Sequence, residues 1–337
     1  MALNAQFKQR SAQFLAIGID VSKASLSVHG LLTDGGVDIT VRNTPEAVAE
    51  LMRGLAEAGF GGRIIMESTG YYHWLAAVCG AEAGLDVRLV NPLMSSKHAR
   101  AAIRKTKTDP VDARQLASMA ITEAHLPAPW RRDRNWVALR HKAGLLCALE
   151  KMLQRLHATL RDHRAALAIM GVEDDPVVDG LASQIKALKR QCDKAEDDLT
   201  ACMKAHADRP LHTRLQTVPG ISAYVAGLQT LFFRPDVKGP KSWGAFIGID
   251  LSVKQSGTWR GRSKLSKRGN AYLRKRMFQA AWGAMQGNPE FKAYYEHLRA
   301  QGRSYKESLL MIARKQLRIA YTLWTQNTTY DPTMLKV

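Results

Sequence analysis

Four carboxylates stand at the ends of short segments in the first third of the chain: Asp20, Glu67, Asp109 and Asp112. Asp20 closes the apolar run at 14–19, Glu67 closes the run at 64–66, and Asp109 and Asp112 bracket Pro110-Val111. Two acids at strand ends and two at a helix start can converge on one point. Carboxylates that close cannot all stay ionised without a counter-charge. A hard divalent cation with oxygen ligands supplies it, so Mg²⁺ is the expected ion and Mn²⁺ its substitute. A carboxylate-held metal beside a basic surface suits chemistry on phosphodiesters.

A second set of candidates lies far along the chain. Ser256 precedes a glycine in Lys254-Gln255-Ser256-Gly257-Thr258-Trp259-Arg260-Gly261-Arg262, followed by Lys264, Lys267 and Arg268. A phosphate brought there meets several cations, and a hydroxyl beside it can serve as nucleophile. Ser252, Ser263 and Ser266 are rivals, and a serine that only binds phosphate is an equal reading of the same residues. Arg274 and Arg276 continue the basic run on a helix with Tyr272, Phe278 and Trp282, aromatics whose helical spacing reads as core. Lys105 and Lys107, just before Asp109, are further candidate nucleic-acid contacts.

The formal net charge is +19 over 337 residues. Residues 1–125 hold 13 Lys/Arg against 12 Asp/Glu, whereas residues 254–318 hold 16 against 3. A segment this basic points to nucleic acid, and no apolar run is long enough to span a bilayer. No signal-peptide core opens the chain, so a cytoplasmic, nucleoid-associated protein is expected. The four cysteines form no CxxC pair and read as buried free thiols on helices.

The elements that must position these groups follow from periodicity. Residues 14–30 read as a hairpin of two strands, Gly35-Gly36 as a turn, and 37–41 as a third strand. A helix capped by Thr44 with Pro45 at its first position, a strand at 63–66, a helix at 71–83, a strand at 86–90 ended by Asn91-Pro92, and a helix opening at Pro110 complete an α/β domain with a mixed sheet over 1–125. That order matches the RNase H-like fold. Residues 126–205 read as a linker followed by a coiled-coil helical hairpin. Its seams run Leu146, Leu149, Leu153, Leu156, Leu160, His163, Leu167 and Leu181, Ile185, Leu188, Cys192, Ala195, Leu199, Cys202. His163 reads as a packed or interface residue. Residues 206–337 form a basic, mainly helical domain that opens on Val-Pro-Gly-Ile, a helix-hairpin-helix-like turn in which Gly220 lets backbone approach a phosphate.

Taken in order, Gly-Ile-Asp-Val-Ser-Lys (18–23), Glu-Ser-Thr-Gly (67–70), Asn91-Pro92, Lys-Thr-Asp-Pro-Val-Asp-Ala (107–113), Val-Pro-Gly-Ile (218–221), Gln-Ser-Gly (255–257) and Ser-Lys-Arg-Gly-Asn (266–270) make the chain resemble transposases of the insertion-sequence 110 family. The resemblance implies a RuvC-like domain whose Asp20, Glu67, Asp109 and Asp112 bind Mg²⁺, and a nucleophilic Ser256 that forms a covalent phosphoserine link to DNA. It also implies target and donor DNA as partners, a structured non-coding guide RNA encoded by the element, and a dimer or tetramer. The competing readings are a junction resolvase or nuclease that hydrolyses DNA with metal-activated water, and a non-catalytic nucleic-acid-binding scaffold.

Overall fold

The computed structural model describes residues 5–68, 70–101, 109–172, 175–206, 209–232, 239–252, 255–256, 259–260 and 264–335, with side chains for all but 99–101, 109–111, 209, 251–252, 255–256, 259–260 and 264. It divides into two compact units, Met1–Val137 and Ala138–Val337.

In the first unit a short helix α1 (Ala5–Arg10) leads into β1 (Ala16–Val21), β2 (Ser25–Leu32) and β3 (Gly35–Arg42). Then follow α2 (Pro45–Glu57), β4 (Arg63–Glu67), α3 (His73–Glu82), β5 (Asp86–Val90), α4 (Pro92–Ala101) and α5 (Asp109–Thr122). The sheet order is β3-β2-β1-β4-β5. The first three strands are an antiparallel meander, and β4 and β5 join in parallel. A meander followed by alternating strand and helix is the mixed sheet expected from the sequence.

The two faces of the sheet carry separate cores. Ile17, Ile19, Ile64 and Met66 are fully buried and pack with Leu51, Met52 and Leu55 of α2 and with Ala76 and Cys79 of α3. Ala16 and Ile65 face the other way, against Leu116, Met119 and Ala120 of α5. Each large side chain so buried contributes roughly 1.5–3 kcal/mol. Thr44 caps α2 through a bond from Ala47 N–H, with Pro45 first in the helix.

Three expectations for this unit change. Gly35 and Gly36 lie within β3, opposite Leu32 and Leu31, so the turn falls at Thr33-Asp34. Asn91-Pro92 ends β5 but also starts α4, with Asn91 Oδ1 accepting from Leu93 N–H at 2.8 Å. The stretch expected as a linker is packed: Trp130 N–H donates to Val87 O at 2.7 Å, and the indole lies edge-on to Trp136 at 5.2 Å.

The second unit contains most of α6 (Arg134–Ile169), then α7 (Pro176–His206), α8 (Arg209–Gln216), α9 (Ala223–Phe232) and α10 (Pro240–Ile247). The short strands β6 (Leu251–Ser252), β7 (Gln255–Ser256), β8 (Trp259–Arg260) and β9 (Lys264–Leu265) precede α11 (Ala271–Gly287), α12 (Pro289–Ala300) and α13 (Tyr305–Gln326). Leu146, Leu160, Ile185, Cys192 and Leu199 of the predicted seams are buried. Arg164 of α6 reaches Asp179 of α7 at 3.9 Å near the hairpin turn. His163, however, is exposed, and Met203 rather than Cys202 is buried at the end of α7. Cys202 is accordingly exposed and Cys147 half-buried, while Cys79 and Cys192 are buried as expected. Trp282, read as core, is 47% exposed.

Candidate active site

Asp20 and Glu67 share one end and one face of the sheet of the first unit. In β1 the residues Ala16, Gly18 and Asp20 alternate toward α5, and in β4 Arg63, Ile65 and Glu67 do the same. Asp20 pairs with Ser27, which pairs with Thr40. On the other side, the last parallel pair is Ile19 with Met66, so Glu67 comes next beside Asp20. Thr40, Ser27, Asp20 and Glu67 therefore form one row across the sheet.

Gly18 brings α5 onto that row. A Cβ at Gly18 would stand 1.9 Å from Ala113 O and 2.4 Å from Ala117 N, so the helix backbone rests directly on β1. Asp112 precedes Ala113 and arrives at the sheet end with it. Asp20, Glu67 and Asp112 are each half-buried. Asp109 opens α5; its side chain is among those outside the described set. Sequence reasoning missed Ser95 of α4, whose hydroxyl donates to Glu67 Oε2 at 2.5 Å. The Asn-Pro helix start was the available signal.

An all-oxygen donor set of this kind suits a hard divalent ion. Among the described residues, no three His, Cys, Asp or Glu side chains close into a metal-holding cluster.

Beside the acid row, Ser27, Asp38, Thr40 and Ala113 line an open pocket of about 140 Å³. Asp38 Oδ1 is 2.7 Å from Nδ1 of the buried His29, and Arg114 of α5 donates to the same carboxylate. Burial works to raise the Asp38 pKa, but the hydrogen bonds and charges of Arg114 and His29 outweigh it and hold the carboxyl below the usual range. Arg114 sits two residues after Asp112, so this contact ties the second turn of α5, next to the one that carries Asp112, to β3.

In the second unit, β6 pairs with β9 and β7 with β8, Ser256 standing opposite Trp259. The hydroxyl of Ser266 donates to Asp250, and Ser266 N–H donates to Asp250 O at 2.9 Å, which fixes the base of these pairs. Lys267 and Arg268 are exposed just beyond. Lys254 and Arg262, like Lys105 and Lys107, lie outside the described residues; Arg260 and Lys264 are described in backbone only.

The remaining basic candidates have internal partners. Arg274 Nη1 donates to Ile247 O at 2.7 Å, satisfying a terminal carbonyl of α10. Arg276 is drawn inward: it bonds Glu150 of α6, Glu196 of α7 at 2.6 Å and the Tyr272 hydroxyl at 3.1 Å. Lys275 joins Glu150 at 2.8 Å, and Tyr272 donates to Glu150 at 2.9 Å. Burial opposes the charge on Arg276, but Tyr272, Glu150 and Glu196 together keep its pKa above the ordinary guanidinium value. Gly220 has φ +81°, and a Cβ there would stand 2.1 Å from Ala280 O of α11. The glycine in the turn between α8 and α9 is thus required by helix packing, whatever else approaches it.

Two family models match this chain: a transposase model of the DEDD type for IS110 elements over residues 17–166, and a second, described as transposase of the IS116/IS110/IS902 family, over residues 212–296. The chain belongs to the IS110 family of transposases. The first match runs from Ile17 in β1 through β5 and α5, and the second covers the turn at Gly220 and the strands around Ser256. An uncharacterized 43.6 kDa protein of insertion element IS110 from Streptomyces coelicolor is 27% identical over 162 residues, 48% of this chain and 39% of that protein. The chain thus spans about two fifths of that relative. Pilin gene-inverting proteins of Moraxella bovis and Moraxella lacunata are each 24% identical over 94% of this chain and 97% of their own length. Among the described residues no helix is long and apolar enough to cross a membrane.

Proposed function

We propose that this IS110-family chain is a DNA recombinase that cuts and rejoins strands through a phosphoserine link formed by Ser256, with Mg²⁺ (or Mn²⁺) held by Asp20, Glu67, Asp109 and Asp112. The observation that carries the reading is the shared row of Asp20 and Glu67 with α5 seated on Gly18 beside it. The full-length likeness to proteins named for inverting a gene supports rearrangement over simple cutting.

Bound metal would supply positive charge to a phosphodiester as its charge develops. The chain's own residues do the rest. Ser95 holds Glu67 in place, and the Asp38–Arg114 contact steadies the turn next to the one that carries Asp112. Ser256 Oγ attacks phosphorus, the bond from phosphorus to a sugar oxygen breaks, and that oxygen leaves as a hydroxyl. Rejoining is the reverse, a sugar hydroxyl displacing Ser256. One phosphodiester is exchanged for another, so no external energy source is needed. Exposed Lys267 and Arg268 attract the DNA backbone. A structured guide RNA from the element, and a dimer or tetramer built through the helical hairpin, complete the proposal.

The test is a denaturing gel of protein mixed with DNA from the element's ends. Wild-type protein gives a covalent adduct; Ser256→Ala gives none, and Asp20→Asn loses cutting. Cutting by Ser256→Ala without an adduct would instead support hydrolysis by activated water. Sequencing RNA that co-purifies with the protein tests the guide: one defined species is expected, and random fragments count against it.

A further inference from the structure

We infer that Tyr71 and Tyr72 form a stacking site for an unpaired nucleobase beside the carboxylates of the first unit. The inference rests on the reading that those carboxylates serve a phosphodiester reaction.

The two rings follow Glu67 by four and five residues, at the end of the sheet where the acids lie. Gly70, at φ +58°, turns the chain into them. Tyr71 is 55% exposed and Tyr72 46% exposed, unusual for adjacent aromatics in a described core domain. Both are anchored from below. The Tyr71 ring stands edge-on to the buried Trp74 at 5.3 Å, and Trp74 in turn stands edge-on to Trp136 at 6.3 Å. Tyr72 O accepts from Asn43 Nδ2 at 3.2 Å, and the same amide donates to Ser22 O at 3.0 Å. Ser22 lies two residues after Asp20. One side chain therefore ties the tyrosine turn to the strand end carrying the other carboxylate.

The surroundings indicate nucleic acid rather than an apolar protein surface. Lys23 in the β1–β2 turn and Arg42 at the end of β3 are both exposed at this end of the sheet. Ser25 pairs with Arg42, and Asn43 N–H donates to Ala24 O at 2.9 Å, which sets Arg42 next to the Lys23 turn. Exposed aromatic rings beside cations are the composition that grips single strands: the cations follow phosphates, and the rings take bases of any identity. A phosphodiester held at Asp20 and Glu67 brings its own flanking bases into this neighbourhood. A base in a duplex is already stacked, so the site selects unpaired nucleotides of DNA or RNA.

The experiment uses the full chain and oligonucleotides containing 2-aminopurine: single-stranded DNA, the same sequence as RNA, and duplex DNA. Tyr71→Ala and Tyr72→Ala are each expected to weaken single-strand binding roughly fivefold or more and to relieve quenching of the probe. The slope of log affinity against log salt should stay at its wild-type value, because no phosphate contact is lost. Tyr72→Leu, apolar but ringless, should behave as the alanine variant, and Tyr→Phe at either position should bind as wild type. The DNA and RNA arms identify which strand uses the site. Unchanged affinity and quenching in the double alanine variant would overturn the inference. So would a fall in sedimentation mass without a change in binding, which would assign the rings to contact between copies. Asp20→Asn separates the two readings: it should abolish cutting, and in that background Tyr72→Ala should still weaken single-strand binding by the same factor. Retained cutting would sink the recombinase reading while leaving the stacking result standing.

Discussion

Single residues in this chain are constrained by what they let others do. Gly18 is an instance: its missing side chain is the space in which the backbone of α5 lies. Gly18→Ala forces the helix off β1 or strains it, a cost of about 1–3 kcal/mol. Urea denaturation should show that loss, and calorimetry should show weaker Mg²⁺ binding, since Asp112 moves with the helix. Full retention of both would mean that α5 tolerates displacement. Arg276 makes the opposite case, a charge retained inside because Glu150, Glu196 and Tyr272 surround it. Its side chain is 14% exposed and that of Glu150 13%. Arg276→Met takes the shared guanidinium from Glu196 and from Glu150, which keeps Lys275 and Tyr272, and should cost about 3 kcal/mol, the low end for a broken buried pair, read as a lowered Tm. Adding Glu150→Met and Glu196→Gln should recover most of it. Recovery is the informative half, because it separates a stranded charge from a lost packing contact.

At the scale of elements, legibility in the sequence followed locality. β1, β2 and α2 were readable because alternation, a Thr-Pro cap and apolar spacing all lie within a few residues of one another. The placement of Asp20 and Glu67 at strand ends came with them. α4 is not legible in the sequence, because Asn91-Pro92 serves as both a strand end and a helix start, and only the packing decides that both hold. The partnership of Ser95 with Glu67 was hidden for the same reason. Arg276 read as a surface cation because its counter-charges lie on α6 and α7, far away in the chain. The Asp38–His29–Arg114 contact was equally invisible, though it joins β2, β3 and α5. Its pH dependence follows from the direction of the shift. The folded pKa of Asp38 lies below its ordinary 3.8, so its stabilising contribution is complete above that value and fades as pH falls through the lower folded one. Asp38→Asn should cost roughly 1–2 kcal/mol at neutral pH and nothing extra at the acid end. Arg114→Gln, removing a half-exposed partner, should cost less than about 1 kcal/mol. If the two variants lose equal stability at pH 7, His29 contributes nothing and the contact is only an ion pair.

For the whole molecule, the hairpin of α6 and α7 raises the question of association. Leu146, Leu160, Ile185, Cys192 and Leu199 of its seams are already buried within the chain, so seam burial by itself is no argument for a second copy. The turn between the helices is different. Ile169 is 88% exposed, Met170 74% and Val177 81%, an apolar group at the far end of a charged hairpin. Surface apolar residues scattered singly need no account, but several together at one tip mark a contact surface. If the proposed oligomer forms there, Ile169→Lys with Val177→Lys should lower the mass seen in analytical ultracentrifugation to that of the single chain. Folding should be unaffected, since neither residue contributes to a core, and the circular dichroism melt serves as the control. Strand exchange between two DNA sites should fail with the mass, while single-strand binding by one chain persists. An unchanged mass would move the association surface elsewhere and leave the hairpin as a spacer whose length, rather than whose tip, matters.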